Sequence, residues 1–409
     1  MTTIPADFPM QGFPPDSNQQ VTLANWRSAP FSQWAFHHVR EIVPSADILN
    51  APGDPWVLES APVNLGGLNI DCNSDGVMSL AGFQSYAALD AMIVLHRDKI
   101  VHEDYHHGMQ QSSPHILMSV SKSLLGMVAA ILRAQGKLNP EALVTDLIPE
   151  LKNTAYNGAT IQHLLNMQAA IDFDEDYLAT AGAIVEYRKS TNWNPLEDGE
   201  KPSDLRSFFQ TLTRKNGDHG GPFFYVSPNT DLLAWVIERA TNSRYADVLS
   251  ECLWQPMGAE SSAYITVDRL GAPRAAGGVC TTLRDLTRVA RLICNNGRRG
   301  DSQILPVDWV NTLINDADLS AWNAGNFTDM FPDQPVSYTD QWYTCHSNPA
   351  DEANWLIAIG IHGQNIFIDP QNEFIMVKFA SHEAPLTDTA AQHGLSAARA
   401  IRDYLVNHF

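Results

Sequence analysis

The sequence predicts a mixed α/β (α+β) fold: an antiparallel central sheet flanked by helices, with a mostly helical segment inserted between strands from both ends of the chain. Three observations predict it. Two β-type runs, AMIVLHR and KIVHEDY, lie between Ala87 and Tyr105. Two or three more lie in WLIAIGIHGQNIFIDPQNEFIMVKFAS near the C-terminus. Between these regions apolar residues recur mainly at helical spacing. At 409 residues the chain exceeds the usual single-domain ceiling. The expected division places 1–135 and 265–409 in the sheet-containing domain and 136–264 in a mostly helical domain with a lid loop.

Taken in order, residues 1–25 are rich in Pro and polar side chains and read as an irregular arm over the body. A helix is expected near Phe31–Ile42, with Trp34, His38 and Glu41 at helical spacing. AMIVLHR and KIVHEDY form a hairpin around Asp98. The stretch 119–134 contains no Pro, is small and apolar, and reads as a helix stopped at Gly136 and Lys137. GKLNPEALVTDLIPEL gives a turn and short helical pieces, and Thr160 caps a further short helix in TIQHLLNM. From 172 to 222 the chain is polar, aromatic and punctuated by Gly and Pro, the pattern of a functional lid. Residues 229–249 read as one helix with Leu232, Leu233, Val236, Ile237 and Ala240 on one face, and 388–407 as the last.

Composition narrows the partners. Hydrophobic content of 44% and charged content of 18% suit a globular enzyme, and the formal charge of −20 would repel a phosphate backbone, which excludes nucleic acid as a partner. The five cysteines, Cys72, Cys252, Cys280, Cys294 and Cys345, contain no CxxC pair and read as reduced thiols. The N-terminal stretch lacks a basic region followed by an apolar core, and no run is long enough to span a bilayer. A cytoplasmic protein without membrane partners is expected.

One motif carries chemistry. Ser119-Val120-Ser121-Lys122 is an S-x-x-K element. Residues at i and i+3 share a helical face, so the Lys122 amine can reach the Ser119 hydroxyl. A serine hydroxyl is a poor nucleophile until a base removes its proton. Lysine is such a base only when neutral, and lowering its pKa from about 10.4 to about 7–8 requires desolvation or nearby positive charge. A serine at a helix N-terminus also has free backbone N–H groups beside it, the beginning of an oxyanion hole.

The setting extends the motif. SVSKSLLG follows the hairpin, and Tyr225-Val226-Ser227-Pro228-Asn229 precedes the helix DLLAWVIERATN. With GKLNPEALVTDLIPEL, TIQHLLNM, AAGGVCTTLRDL and IFIDPQNEFIMVKFAS, the chain resembles the serine β-lactamase-like superfamily over about 85–405. The resemblance implies a β-lactamase/transpeptidase-like fold, an acyl-enzyme on Ser119, and Tyr225 as a third catalytic group relaying protons. Ser227 stands where asparagine is common.

The superfamily's Lys-Thr-Gly strand is absent. Its counterpart is Ala358-Ile359-Gly360-Ile361 or, less favoured, Ile361-His362-Gly363; the former leaves HGQ as the hairpin turn. Gly360 would then allow close approach, and the Ile361 N–H would complete the oxyanion hole with that of Ser119. Neither register supplies a lysine, which turns expectation away from β-lactams and cell-wall peptides.

Within the superfamily, SVSKS, Tyr225 with Ser227, Asn229-Thr230-Asp231, and GIHGQ are most similar to the 6-aminohexanoate-dimer hydrolases and their carboxylesterase relatives. That likeness implies a lid tyrosine and tryptophan at the substrate, matched by Tyr177 and Trp193, with Gly360 and His362 beside it. An acidic residue for a substrate ammonium could be Asp174, Glu175, Asp176 or Glu186.

The expected function is a serine hydrolase for small linear amides or esters. The alternatives are a carboxylesterase with little amidase activity and a catalytically silent penicillin-recognising protein. The expected partner is a small-molecule substrate, and a homodimer is compatible with the sequence. No cofactor is implied and no metal site is assigned. His102-Glu103-Asp104-Tyr105-His106 matches H-E-x-x-H, but on a strand, where residues four apart sit about 13 Å from each other. No GxSxG elbow or phosphate-binding Gly loop is present.

Overall fold

The computed structural model describes residues 8–72, 75–315, 318–387 and 389–409. Its main sheet contains β1 (Glu59–Ser60), β2 (Leu89–His96), β3 (Lys99–Tyr105), β4 (Val336–Thr339), β5 (Trp342–Cys345), β6 (Trp355–Gly360), β7 (Gln364–Asp369) and β8 (Phe374–Ala380). The spatial order is β4-β5-β6-β7-β8-β2-β3-β1, antiparallel throughout except for the short parallel β1–β3 pair. The N-terminal hairpin and the C-terminal strands thus join through the β8–β2 pairing. Arg97 and Asp98 both have positive φ, 48° and 67°, as a tight two-residue hairpin turn demands.

Alternation explains why the last strands read as continuous apolar runs. On β8, Phe374 and Met376 enter one core cluster while Ile375 and Val377 enter another. Successive strand side chains point to opposite faces, and here both faces are covered. The helix α4 (Leu283–Cys294) covers one face with Leu286, Val289 and Ile293. The C-terminal helix α5 (Ala390–His408) covers the other with Leu395, Ala398 and Ile401.

The remaining long helices position the site. The first, α1 (Val120–Ala134), is buried from Val120 to Leu132 and packs on α3 (Ser227–Thr241). Between them in sequence lies α2 (Ala183–Ser190). A four-stranded sheet ordered Ser45–Ile48, Ala263–Thr266, Val279–Thr281 and His115–Ile116 leads the chain into α1. Its register is extended by the Leu117 N–H, which donates to Val279 O at 2.8 Å.

Three sequence expectations change. The helix near Phe31–Ile42 is two short pieces, α-helical Ser32–Ala35 and 3-10 Val39–Glu41. The lid region 172–222 contains α2 and a further helix, Leu205–Phe209, capped by Asp204, whose Oδ1 accepts from the Ser207 N–H. The helix expected over 229–249 starts at Ser227 and ends at Thr241, because Asn242 takes the left-handed conformation, φ 53°; Tyr245–Leu249 is separate. Asparagine visits that region at little cost, so a polar T-N-S stretch inside an apolar pattern was a stop signal. The N-terminal arm is anchored by Trp26, fully buried edge-on against Trp193 at 5.3 Å. Among the described residues, no helix is long and apolar enough to cross a membrane.

Candidate active site

Ser119 sits where the second sheet hands over to α1. Met118 has φ 46°, a left-handed conformation unusual for a side chain of its size, and this kink turns the chain directly into the helix. Lys122 follows one turn later and is 1% exposed. Its Nζ donates to Ser119 Oγ at 3.0 Å, Ser227 Oγ at 3.1 Å and Ala276 O at 2.7 Å. Burial pushes the amine down to about 7; the charge of Glu175 opposes that fall, and Arg274 reinforces it. A group poised there holds a substantial neutral fraction at neutral pH, as a base requires.

The acceptors of Lys122 are themselves fixed. Asp231, one turn into α3, accepts from the Ala276 N–H at 2.7 Å, and its other oxygen takes the Tyr187 hydroxyl and Arg274. Ser227 opens α3, where its N–H donates to Glu175 at 2.6 Å and its hydroxyl to the same carboxylate. The Tyr177 hydroxyl also reaches Glu175, at 3.2 Å. Ser119, Lys122, Ser227, Glu175 and Tyr177 therefore form one hydrogen-bonded chain.

Tyr225 lies against the same pair. Its phenol faces Ser119, its ring centroid is 5.0 Å from Lys122 Nζ, and it stacks on Phe327 at 5.0 Å. Burial raises its pKa strongly, so it remains a protonated phenol at neutral pH.

Gly360, the last residue of β6, approaches the backbone just before Ser119 so closely that a Cβ would lie 2.6 Å from Leu117 O. The next residue, Ile361, lines the cleft with Ser119. Among the described residues neither the Ser119 N–H nor the Ile361 N–H has a protein acceptor. The turn after β6 is Ile361–Gly363, with Gln364 already paired to Gly360, so the hairpin turn is IHG rather than HGQ.

Tyr177 and Trp193 line the same cleft. His362 does not. It is buried with φ 61°, its Nδ1 bonds His382 O at 2.8 Å, and its ring packs on Phe36 at 5.2 Å. The positive φ of the IHG turn directs the ring into the protein, a rotation that strand-like alternation did not anticipate. Of the four acidic candidates, Glu175 lines the cleft, whereas Asp174, Asp176 and Glu186 are exposed.

Other residues at the site escaped the sequence reading. Arg27, Arg188, Arg274, Ala276 and Gly277 line the cleft. The Gly277 backbone passes so near Trp193 that a Cβ would meet its ring at 3.2 Å, and AAGGVC was the available signal. Nothing local marked Arg27, which arrives on the arm. A second, mainly apolar pocket adjoins Gly360 and is lined by Phe327, Met330, Ile359, Pro385 and Leu386. The H-E-x-x-H segment is on β3 and just beyond it; His102 and His106 both turn to Asp104 Oδ2, at 3.2 and 3.4 Å, because i, i+2 and i+4 share a strand face. No group of three ligands arranged for a metal occurs among the described residues.

Comparison with known proteins gives this arrangement a lineage. The profile of the family described as Beta-lactamase matches residues 86–400, which include Ser119, Lys122, Tyr225 and Gly360. The chain belongs to the beta-lactamase family. It is a serine hydrolase of that family, and a curated relative, the 6-aminohexanoate-dimer hydrolase of Paenarthrobacter ureafaciens, is 36% identical over 387 residues, 94% of each chain. A Bacillus anthracis structure, named provisionally as a 6-aminohexanoate-dimer hydrolase, superposes with a TM-score of 0.83 at 25% identity, covering 95% of this chain and 99% of that one. EstCE1, a hydrolase with promiscuous acyltransferase activity, shares the fold at a TM-score of 0.59 and 15% identity, over 79% of this chain and 98% of its own. Within this β-lactamase-like frame the chain departs at β6, whose sequence WLIAIG holds no lysine.

Proposed function

We propose that the protein hydrolyses small linear amides or esters through an acyl-enzyme on Ser119, with Lys122 as base and Tyr225 as proton donor. The observation that carries this reading is Lys122: buried, poised near pH 7, and 3.0 Å from Ser119 Oγ. Neutral Lys122 takes the Ser119 proton as Oγ attacks the carbonyl carbon. The Ser119 and Ile361 N–H groups hold the oxyanion. As the tetrahedral intermediate collapses, the Tyr225 phenol protonates the departing nitrogen or oxygen and recovers a proton from Lys122. Water then attacks the acyl-enzyme, giving its proton to Lys122, and the free acid and Ser119 hydroxyl are regenerated. Tyr177 borders the reacting bond from the lid, and Trp193 walls the recess behind it.

The sheet and both flanking helices fall in 1–135 with 265–409, and residues 136–264 supply Tyr177, Trp193, Glu175 and α3. That supports two domains meeting at the cleft. The likeness to 6-aminohexanoate-dimer hydrolase supports an amide substrate, while the missing β6 lysine argues against β-lactams. A serine-directed phosphonate should label Ser119 in the folded protein; absence of an adduct rejects the hydrolase mechanism. Turnover of p-nitrophenyl esters should then be compared with that of the p-nitroanilides of the same acids. Tyr177→Phe is expected to depress amide cleavage more than ester cleavage, and equal effects on both remove Tyr177 from amide recognition.

A further inference from the structure

The protein carries a formal charge of −20, yet one wall of the Ser119 cleft is cationic. Arg27 from the arm, Arg188 from α2 and Arg274 beside Ala276 all line it. Two carboxylates answer them. Asp231 pairs with Arg274, and Glu175 is taken up by Ser227 and Tyr177. The exposed Asp176 is a third carboxylate within range of Arg188, but among the described residues neither Arg27 nor Arg188 belongs to an ion pair.

Their present partners are neutral. Arg27 donates Nη2 to Asn194 Oδ1, and Arg188 donates to the Tyr177 carbonyl at 2.9 Å. Arg27 Nε and Arg274 Nε are buried without any partner. Both guanidiniums lie against Trp193, 5.9 and 4.9 Å from its ring centroid, so the recess is walled by cations and an aromatic face. Burial, reinforced by the nearby charges of Arg188 and Arg274, brings the Arg27 guanidinium down to about 9. A planar carboxylate is the group a guanidinium fork binds best.

The position of Tyr225 orients the substrate. It stacks on Phe327, which lines the apolar pocket beside Gly360. The leaving group, protonated by Tyr225, therefore points to the Phe327 side and the acyl group to the arginines.

We infer that the acyl end of the substrate carries a carboxylate, bound by Arg27 with Arg188 against Trp193. This rests on the hydrolase reading above and deepens it: an ω-carboxyacyl amide or ester fits this recess, whereas an acyl chain ending in an ammonium does not.

Three matched esters test the inference: mono-p-nitrophenyl adipate, p-nitrophenyl hexanoate and p-nitrophenyl 6-aminohexanoate. The wild type should favour the adipate over the hexanoate by about ten-fold or more in kcat/KM, the scale of one charge-assisted hydrogen bond, with the ammonium ester last. In Arg27→Met the adipate-to-hexanoate ratio should fall about ten-fold, mainly through KM, and Arg27→Lys should retain part of it. Because the ratio is taken within each variant, a general loss of active protein does not move it. A second measurement needs no variant: free adipate should inhibit hexanoate turnover competitively, and 1,6-diaminohexane should not. Equal turnover of the three esters, preference for the ammonium ester, or an unmoved ratio in Arg27→Met overturns the inference while leaving the hydrolase reading intact. Failure to turn over any ester, with no phosphonate adduct at Ser119, overturns that reading and this inference together.

Discussion

Lys122 shows how one residue's chemistry depends on neighbours that its motif does not contain. Burial lowers its pKa to about 7, while Glu175 pulls it upward. The pH dependence follows with a definite sign. With the neutral amine as the proposed base, kcat/KM should rise with pH along a limb near 7. Glu175→Gln keeps an acceptor for the Ser227 N–H but removes the charge that favours the ammonium. The limb should therefore move to lower pH in Glu175→Gln. A pH–rate profile checks this, and a limb that stays in place or moves upward contradicts the assignment. The S-x-x-K spacing made the Ser119–Lys122 contact legible in advance, because helical geometry alone brings i and i+3 together. The importance of Glu175 among four nearby acids was not legible, since Asp174 and Asp176 carry the same charge beside it and no local spacing says which way each carboxylate turns.

At the scale of elements, glycines set how closely α1 and β6 meet the structures around Ser119. A Cβ at Gly126 would lie 2.0 Å from the carbonyl of Asp340, in the β4–β5 turn that also bonds Ser123 through Gln341 O. A Cβ at Gly360 would lie 2.6 Å from Leu117 O, close to Ser119. The two alanine variants should fail differently. Gly126→Ala should lose about 1–3 kcal/mol of stability or more, with the surviving folded fraction still active; chemical denaturation measures the loss. Gly360→Ala should displace the Ile361 N–H from the oxyanion position and cost about 10² in kcat with KM little changed. Unaltered kcat in Gly360→Ala would remove β6 from the oxyanion hole. Element type was readable wherever one periodicity dominated, as in the β2–β3 hairpin and α1. Boundaries slipped where a single left-handed residue decides them, as at Asn242 and His362.

At the scale of the molecule, Asp90 joins the two sheets behind the site. It lies fully buried on β2, with His115 of the second sheet at 3.2 Å, His107 at 2.6 Å and the Ser381 hydroxyl at 3.0 Å. Burial alone would raise its carboxyl, but the hydrogen bonds from His107 and His115 prevail and hold it at about 2. A depressed carboxylate stabilises the fold above its unfolded pKa of about 3.9, and that contribution is lost as pH falls towards 2. Asp90 should thus contribute about 2 kcal/mol at neutral pH that vanishes between about pH 4 and 2. Urea unfolding of the wild type and Asp90→Asn at pH 5 and pH 2.5 measures it. The two proteins should converge in stability at the lower pH, and a constant gap would remove Asp90 from the acid response.

The sequence by itself determined the sheet assembled from both chain ends, the helix bearing Ser119 and Lys122, and the family, because these rest on local periodicity and on motifs held within a few residues. The tertiary structure alone decided the lining of the cleft. Arg27, Glu175, Arg188 and Arg274 come from the N-terminal segment, the segment before α2, α2 and the loop joining two strands of the second sheet, and no spacing along the chain encodes their meeting. Their charges act through space in a buried recess, where a few ångströms decide whether the cleft receives a cation or an anion.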